Sequence, residues 1–144
     1  MFDQKFSFTT TLLIDDSEID VLVNRRLIEL TTFSENVVIA RSAEEALFFL
    51  RHECSITEEA PDWIFLDMYL PLMSGYDFIE EFKKLPPFIK DKTKIVVLSV
   101  FQKQEQLEKV FENKFIFGHL EKPLSQEALK NLANGRKENV IAFS

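Results

Sequence analysis

One cysteine in 144 residues, Cys54, excludes an internal disulfide. Positive charge is also scarce. Seventeen Lys and Arg stand against 24 Asp and Glu, a net charge of -7, with no basic stripe of the kind that a phosphate backbone attracts. Nucleic-acid binding by this chain is therefore not expected. No apolar run approaches the ~20 residues that a membrane span requires. The opening MFDQKFSF lacks the basic region and apolar stretch of a signal peptide, so the cytoplasm is the expected location. There is no internal repeat, low-complexity stretch or second-domain linker. His52 and His119 lie far apart, and with a single Cys they make no zinc-finger pattern.

What is present is an alternation of two kinds of segment. Short apolar, β-prone runs occupy residues 10–14, 36–40, 63–66, 94–98 and 115–120. Their continuity suits a parallel sheet covered on both faces. Helical patterns lie between them: Ile19, Val23, Leu27 and Leu30 after Ser17, with Asp20 three residues on; Ala43, Ala46, Leu47 and Leu50 behind the capping box Ser42–Glu45. Phe78, Ile79, Phe82 and Leu85 mark a third helix stopped by Pro86-Pro87. Leu107, Val110 and Phe111 mark a fourth, and Ala128, Leu129 and Leu132 a fifth after Ser125. Five strands alternating with five helices imply right-handed crossovers and a doubly wound α/β domain. Its expected span is 8–134, with 135–144 as a tail or an extension of the last helix. Residues 52–62 read as a solvated acidic connection, Trp63 as packing, and Cys54 as structural or exposed filler. Met68, Leu70 and Met73 read as packing near the site.

The positions of the carboxylates narrow the function. Asp15 and Asp16 close the first strand and Asp67 the third. In an open α/β sheet ligands sit beyond the carboxyl ends of the strands; if strands one and three are neighbours, the three acids converge there. Crowded carboxylates repel. A hard cation with oxygen ligands resolves the repulsion, and Mg²⁺ (or Mn²⁺) suits a few carboxylates plus a phosphoryl oxygen. Asp67 could then act as a carboxylate nucleophile and form an acyl phosphate. Lys122, ending the fifth strand before Pro123, is placed to reach a phosphoryl oxygen, and Ser99, ending the fourth, offers a hydroxyl.

Ile14-Asp15-Asp16, then Asp67-Met68-Tyr69-Leu70-Pro71-Leu72-Met73-Ser74-Gly75, then Ser99, then Lys122-Pro123 together resemble the receiver domain of two-component response regulators, chemotaxis-type and single-domain. The resemblance spans about residues 10 to 134. It implies a flavodoxin-like five-stranded parallel sheet of order 2-1-3-4-5 with five helices. It also implies Asp67 as phosphoacceptor, Asp15 and Asp16 as metal ligands with the Tyr69 backbone carbonyl, Ser99 as the switch hydroxyl and Lys122 as the phosphate contact. Pro123 matches a cis proline, and Gly75 the glycine that lets the loop after Asp67 turn into the third helix. A histidine kinase or histidine phosphotransfer protein is the implied donor. The output is contact with a further, unidentified protein, through the fourth and fifth helices and the strand between them. No turnover on a soluble substrate is expected.

Four positions set this chain apart from the family pattern. Val100 stands where Ala or Gly is usual and adds bulk at the site. Tyr69 and Phe101 flank the phosphoryl position with two aromatic rings and no acid or base, which implies slow self-dephosphorylation. His119 stands where the family carries Tyr or Phe, so the switch either runs with an imidazole or His119 is a surface residue without a role. Alternatives of other classes are a receiver-like docking module that is never phosphorylated, an aspartyl-phosphate hydrolase and a flavodoxin. A hydrolase would carry an Asp where Tyr69 stands, and Asp15-Asp16 would repel a flavin phosphate.

Overall fold

Consecutive residues of a strand point to opposite faces of its sheet, and in this chain both faces are apolar. Leu12 and Ile14 of β1 (Phe8–Ile14), Ile64 and Leu66 of β3 (Trp63–Asp67) and Ile95 and Val97 of β4 (Lys94–Ser99) enter one core. Leu13, Trp63, Phe65, Val96 and Leu98 enter the other. The first core is closed by α2 (Ala43–Phe48), α3 (Gly75–Phe82) and the single turn α4 (Pro87–Lys90). The second is closed by α1 (Glu18–Leu30) and α5 (Gln126–Ala133). The computed structural model describes residues 5–99 and 114–135 and the backbone of 141–142.

With β2 (Ser34–Ala40) and β5 (Ile116–Glu121), the sheet runs β2-β1-β3-β4-β5, all parallel, which is the expected 2-1-3-4-5 order. A sixth strand, β6 (Ile141–Ala142), adds an antiparallel edge to β5, pairing Gly118 with Ala142 and His119 with Ile141. α5 ends at Ala133, and Gly135 follows at φ +73°. A two-residue strand carries too few side chains for its period to show in a sequence. The expected fourth helix, at Leu107, Val110 and Phe111, lies outside the described residues.

The helix caps follow the sequence closely. Ser17, Ser42, Ser74 and Ser125 each accept from the backbone N–H three residues on, satisfying donors that a first helical turn leaves open. Only Ser74–Asp77 closes a reciprocal box; Glu45 turns instead to the N–H of Arg41. The seat of α1 differs from expectation. Val21, Asn24 and Ile28 face the core, whereas Ile19, Val23 and Leu30 are exposed and Leu27 is half-buried. This helix carries apolar residues around most of its circumference, so its periodicity does not select one face.

The connection after α2 is more structured than a solvated loop. The helix continues as a wider π turn, Phe49–Glu53, and a 3₁₀ turn covers Thr57–Glu59. Cys54 is buried there, with its Sγ–H 3.5 Å from the Glu59 carbonyl, and burial pushes its thiol up to about 11. Asp62 accepts from the N–H groups of Thr9 and Thr10, fixing the amino ends of β1 and β3 against each other.

Candidate functional site: an acidic pocket closed by one lysine

Strand register decides which side chains meet. Ile14 lies opposite Leu66, which brings Asp15 level with Asp67. Asp67 lies opposite Leu98 and Ser99 opposite Glu121, so each strand delivers its polar residue one step further along. At the resulting mouth, oxygens of Asp15, Asp16 and Asp67 all lie within 4.8 Å of one another. Asp15 and Asp67 are buried and Asp16 is exposed.

Two of these carboxylates are held at both ends. Asp15 Oδ1 accepts from the Ser17 N–H at 2.9 Å and Asp67 Oδ1 from the Tyr69 N–H at 3.0 Å. Their Oδ2 atoms share Lys122, whose Nζ lies 3.2 Å from Asp15 and 3.3 Å from Asp67. Burial holds the Asp15 carboxyl above the usual carboxylate range. The Asp67 charge adds to the rise, and the Ser17 N–H and Lys122 oppose it. Burial alone would lower the Lys122 ammonium, but the charges of Asp67 and Asp15 and the bonds to Asp20 and Asp15 hold it above the ordinary lysine value. The pocket is thus anionic and partly neutralised by Lys122.

Ser99 Oγ is buried at the end of β4 and has no hydrogen-bond partner among the described residues. A buried hydroxyl without a partner costs free energy, and it suits a ligand oxygen arriving at the pocket. Three carboxylates presenting only oxygen, two of them buried, also fit a hard divalent cation. Gly75 shapes the pocket floor by closeness rather than by an unusual φ. A Cβ there would stand 2.7 Å from Met68 Cα and 3.1 Å from the Asp67 carbonyl, so a side chain would push on the segment that carries Asp67. The Lys122–Pro123 peptide is cis.

His119 is not a surface residue. It is 1% exposed, and its Nε2 lies 3.0 Å from the Ser99 carbonyl oxygen, tying β5 to the carboxyl end of β4. Burial of a polar side chain here depends on tertiary neighbours, which composition alone does not reveal. Tyr69 is half exposed beside the pocket. Val100 and Phe101 lie outside the described residues.

Burial lowers the His119 basicity, outweighing the Ser99 carbonyl and Glu121, which raise it. The unfolded chain therefore binds a proton that the native state resists, and the stability involved is present above the unfolded pKa and lost as pH falls through the lowered native one. Lowering the pH from about 7 to about 5.5 is expected to reduce the urea midpoint of the wild type more than that of His119→Phe. Parallel slopes for the two proteins would show that His119 does not titrate with folding.

Asp20 was not anticipated as a site residue. The sequence pairs it with Ser17 as a capping signal, and its N–H does meet the Ser17 hydroxyl, at 3.3 Å. Its carboxylate, however, turns to Lys122 Nζ at 3.1 Å. The signal available in the sequence was position: a third acid one helical turn beyond Asp16 projects from the same mouth of the sheet.

A doubly wound parallel sheet with an acidic pocket at the carboxyl ends of its central strands defines a class of phosphate- and metal-handling α/β domains. Within that class, the model of the response regulator receiver domain matches residues 11–134, and the chain belongs to that family. Autoinducer 1 sensor kinase/phosphatase LuxN of Vibrio campbellii (strain ATCC BAA-1116) is 32% identical over 138 residues, which cover 92% of this chain and 14% of that protein. Two-component response regulator ORR1 of Oryza sativa subsp. japonica is 27% identical over 132 residues, covering 88% of this chain and 54% of that protein. The chain thus spans a small part of the first relative and about half of the second. Among solved structures, a two-component response regulator from Cytophaga hutchinsonii superposes with a TM-score of 0.78 at 26% identity, covering 88% of this chain and 95% of that one. A response regulator receiver protein from Dyadobacter fermentans DSM 18053 shares the fold with a TM-score of 0.77 at 24% identity, over 88% and 96% of the two chains. Receiver domains serve two-component signalling as switches rather than as turnover enzymes, and no described helix is long and apolar enough to cross a membrane.

Proposed function

We propose that this chain is a phosphorylation-controlled switch in which Asp67 accepts a phosphoryl group from a phosphohistidine of a histidine kinase or phosphotransfer protein. One observation carries the reading: carboxylates from β1 and β3 share a single lysine from the end of β5, beside a buried hydroxyl that has no partner among the described residues. A relative named as a sensor kinase/phosphatase is in keeping with a kinase as donor.

An Asp67 carboxylate oxygen bonds to phosphorus while the P–N bond to the donor imidazole breaks, its electron pair staying on the ring nitrogen. The Tyr69 N–H holds Asp67 Oδ1, which leaves Oδ2 facing Lys122. Lys122 then donates to a phosphoryl oxygen in place of the consumed carboxylate, and the Ser99 hydroxyl donates to another. Asp15, Asp16, Asp67 and the Tyr69 backbone carbonyl would hold Mg²⁺, or Mn²⁺, which supplies charge neutralisation between the phosphoryl group and the attacking carboxylate. Reorientation of Ser99 reaches His119 through the Ser99 carbonyl, and so reaches the β5 side of the domain, where a downstream protein would read the change. The half-exposed Tyr69 side chain offers no carboxylate to activate a hydrolytic water, which favours a long-lived aspartyl phosphate.

Intact-mass measurement of the protein after treatment with acetyl phosphate tests the reading. A single phosphoryl increment is expected with Mg²⁺, none with a chelator in excess, and loss of the increment in hydroxylamine, which cleaves acyl phosphates. An unphosphorylated protein under all conditions would favour the docking-module alternative.

A further inference from the structure

Asp20 makes the shortest of the three contacts to Lys122, 3.1 Å against 3.2 Å for Asp15 and 3.3 Å for Asp67. A lysine ammonium has three N–H donors, and all three are committed here. The partners are not equivalent. Asp15 and Asp67 belong to the carboxylate cluster that could hold a cation; Asp20 does not. A divalent ion in that cluster would draw on the same Asp15 and Asp67 oxygens and repel the ammonium. Asp20 would keep its full charge for the lysine. A cleft of about 280 Å³ lined by Asp20, Val23, Asn24, Lys122 and Pro123 adjoins the pocket. It gives the ammonium room to withdraw from the cluster toward Asp20 without leaving the mouth.

Resting on the phosphoacceptor reading, we infer that Asp20 is a positioning residue for Lys122. It retains the ammonium beside the pocket when a cation takes Asp15 and Asp67, and so keeps it within reach of the incoming phosphoryl group. Without Asp20 the lysine falls back on Asp15 and Asp67 and competes with the cation for them. The Asp20 side chain is 41% exposed, so the effect is moderated by solvent screening.

A double-mutant cycle tests this: wild type, Asp20→Asn, Lys122→Gln and the double variant, each measured for Mg²⁺ Kd by calorimetry and for the rate of acetyl-phosphate uptake at saturating Mg²⁺. Asp20→Asn is expected to slow uptake roughly three- to tenfold and to raise the Mg²⁺ Kd. Both effects should shrink sharply in the Lys122→Gln background, and Asp20→Glu should restore the rate. Any benefit of an acid in the first turn of α1 through the helix dipole does not require the lysine and would persist in that background. Equal losses in both backgrounds, or no loss in either, overturn the inference. Absence of uptake by the wild type counts against the phosphoacceptor reading, and the Mg²⁺ cycle alone then judges Asp20.

Discussion

Asp67→Asn is expected to take up no measurable phosphoryl group from acetyl phosphate and Mg²⁺ while remaining folded. The substitution keeps the shape of the side chain and one carbonyl oxygen, which can still accept the Tyr69 N–H that Asp67 Oδ1 accepts at 3.0 Å. What it removes is the anionic oxygen that must bond to phosphorus. Lys122 loses one of three partners but keeps Asp15 and Asp20. Asp15 is relieved of the like charge that contributes to its raised pKa. These changes oppose one another, so the unfolding free energy should move by no more than about 1 kcal/mol. Intact mass reports the first expectation and thermal unfolding by circular dichroism the second. Persistent phosphorylation of a folded variant would move the acceptor to another carboxylate, Asp16 being the exposed member of the cluster.

The strand–helix alternation was legible because it follows from local signals that agree, whereas the 2-1-3-4-5 order, on which the convergence of the pocket depends, came from the family resemblance. Apolar runs set the strands, serines set the starts of helices, and acids at strand ends collect at one edge once the strands lie parallel. Ser42 and Ser125 cap their helices where the sequence places the starts. Less legible were features decided by tertiary neighbours. The buried face of α1 centres on Val21, Asn24 and Ile28, a polar residue between two apolar ones, and the stripe through Ile19, Val23 and Leu30 lies outside. Nothing in the spacing ranks those faces. His119 is buried and its ring nitrogen meets the Ser99 carbonyl, a long-range contact invisible from either residue. The same holds for Asp20, whose partner lies 102 residues away. Pairing of Ile141–Ala142 with β5 is also long-range, and two residues carry no pattern that could announce it.

The opposite end of the sheet holds the largest stability effect expected of a single side chain. Trp63 opens β3 and is 2% exposed. Its ring meets Phe8 at 5.6 Å edge-on, Phe33 at 6.0 Å and Phe117 at 5.1 Å and 90°. Phe33 in turn packs on Phe65 at 5.8 Å. Edge-to-face and tilted geometries at these distances are the favourable ones for aromatic pairs, and Lys94 Nζ covers the Trp63 ring at 5.4 Å. One indole therefore joins β1, β3 and β5 with the turn before β2. Trp63→Ala should lower the unfolding free energy by about 3–5 kcal/mol, the range for removing a large aromatic from a core that cannot collapse around the gap. Against a total stability of about 5–15 kcal/mol, much of the fold's margin would go, and urea unfolding would read it directly. Asp67 lies at the other end of the same strand, four residues away, with its own hold on Tyr69 and Lys122. At a low temperature where the variant is still folded, its phosphoryl uptake should therefore match that of the wild type within about twofold. A large loss of uptake in the folded variant would mean that the aromatic cluster sets the geometry of the pocket as well as the stability of the sheet.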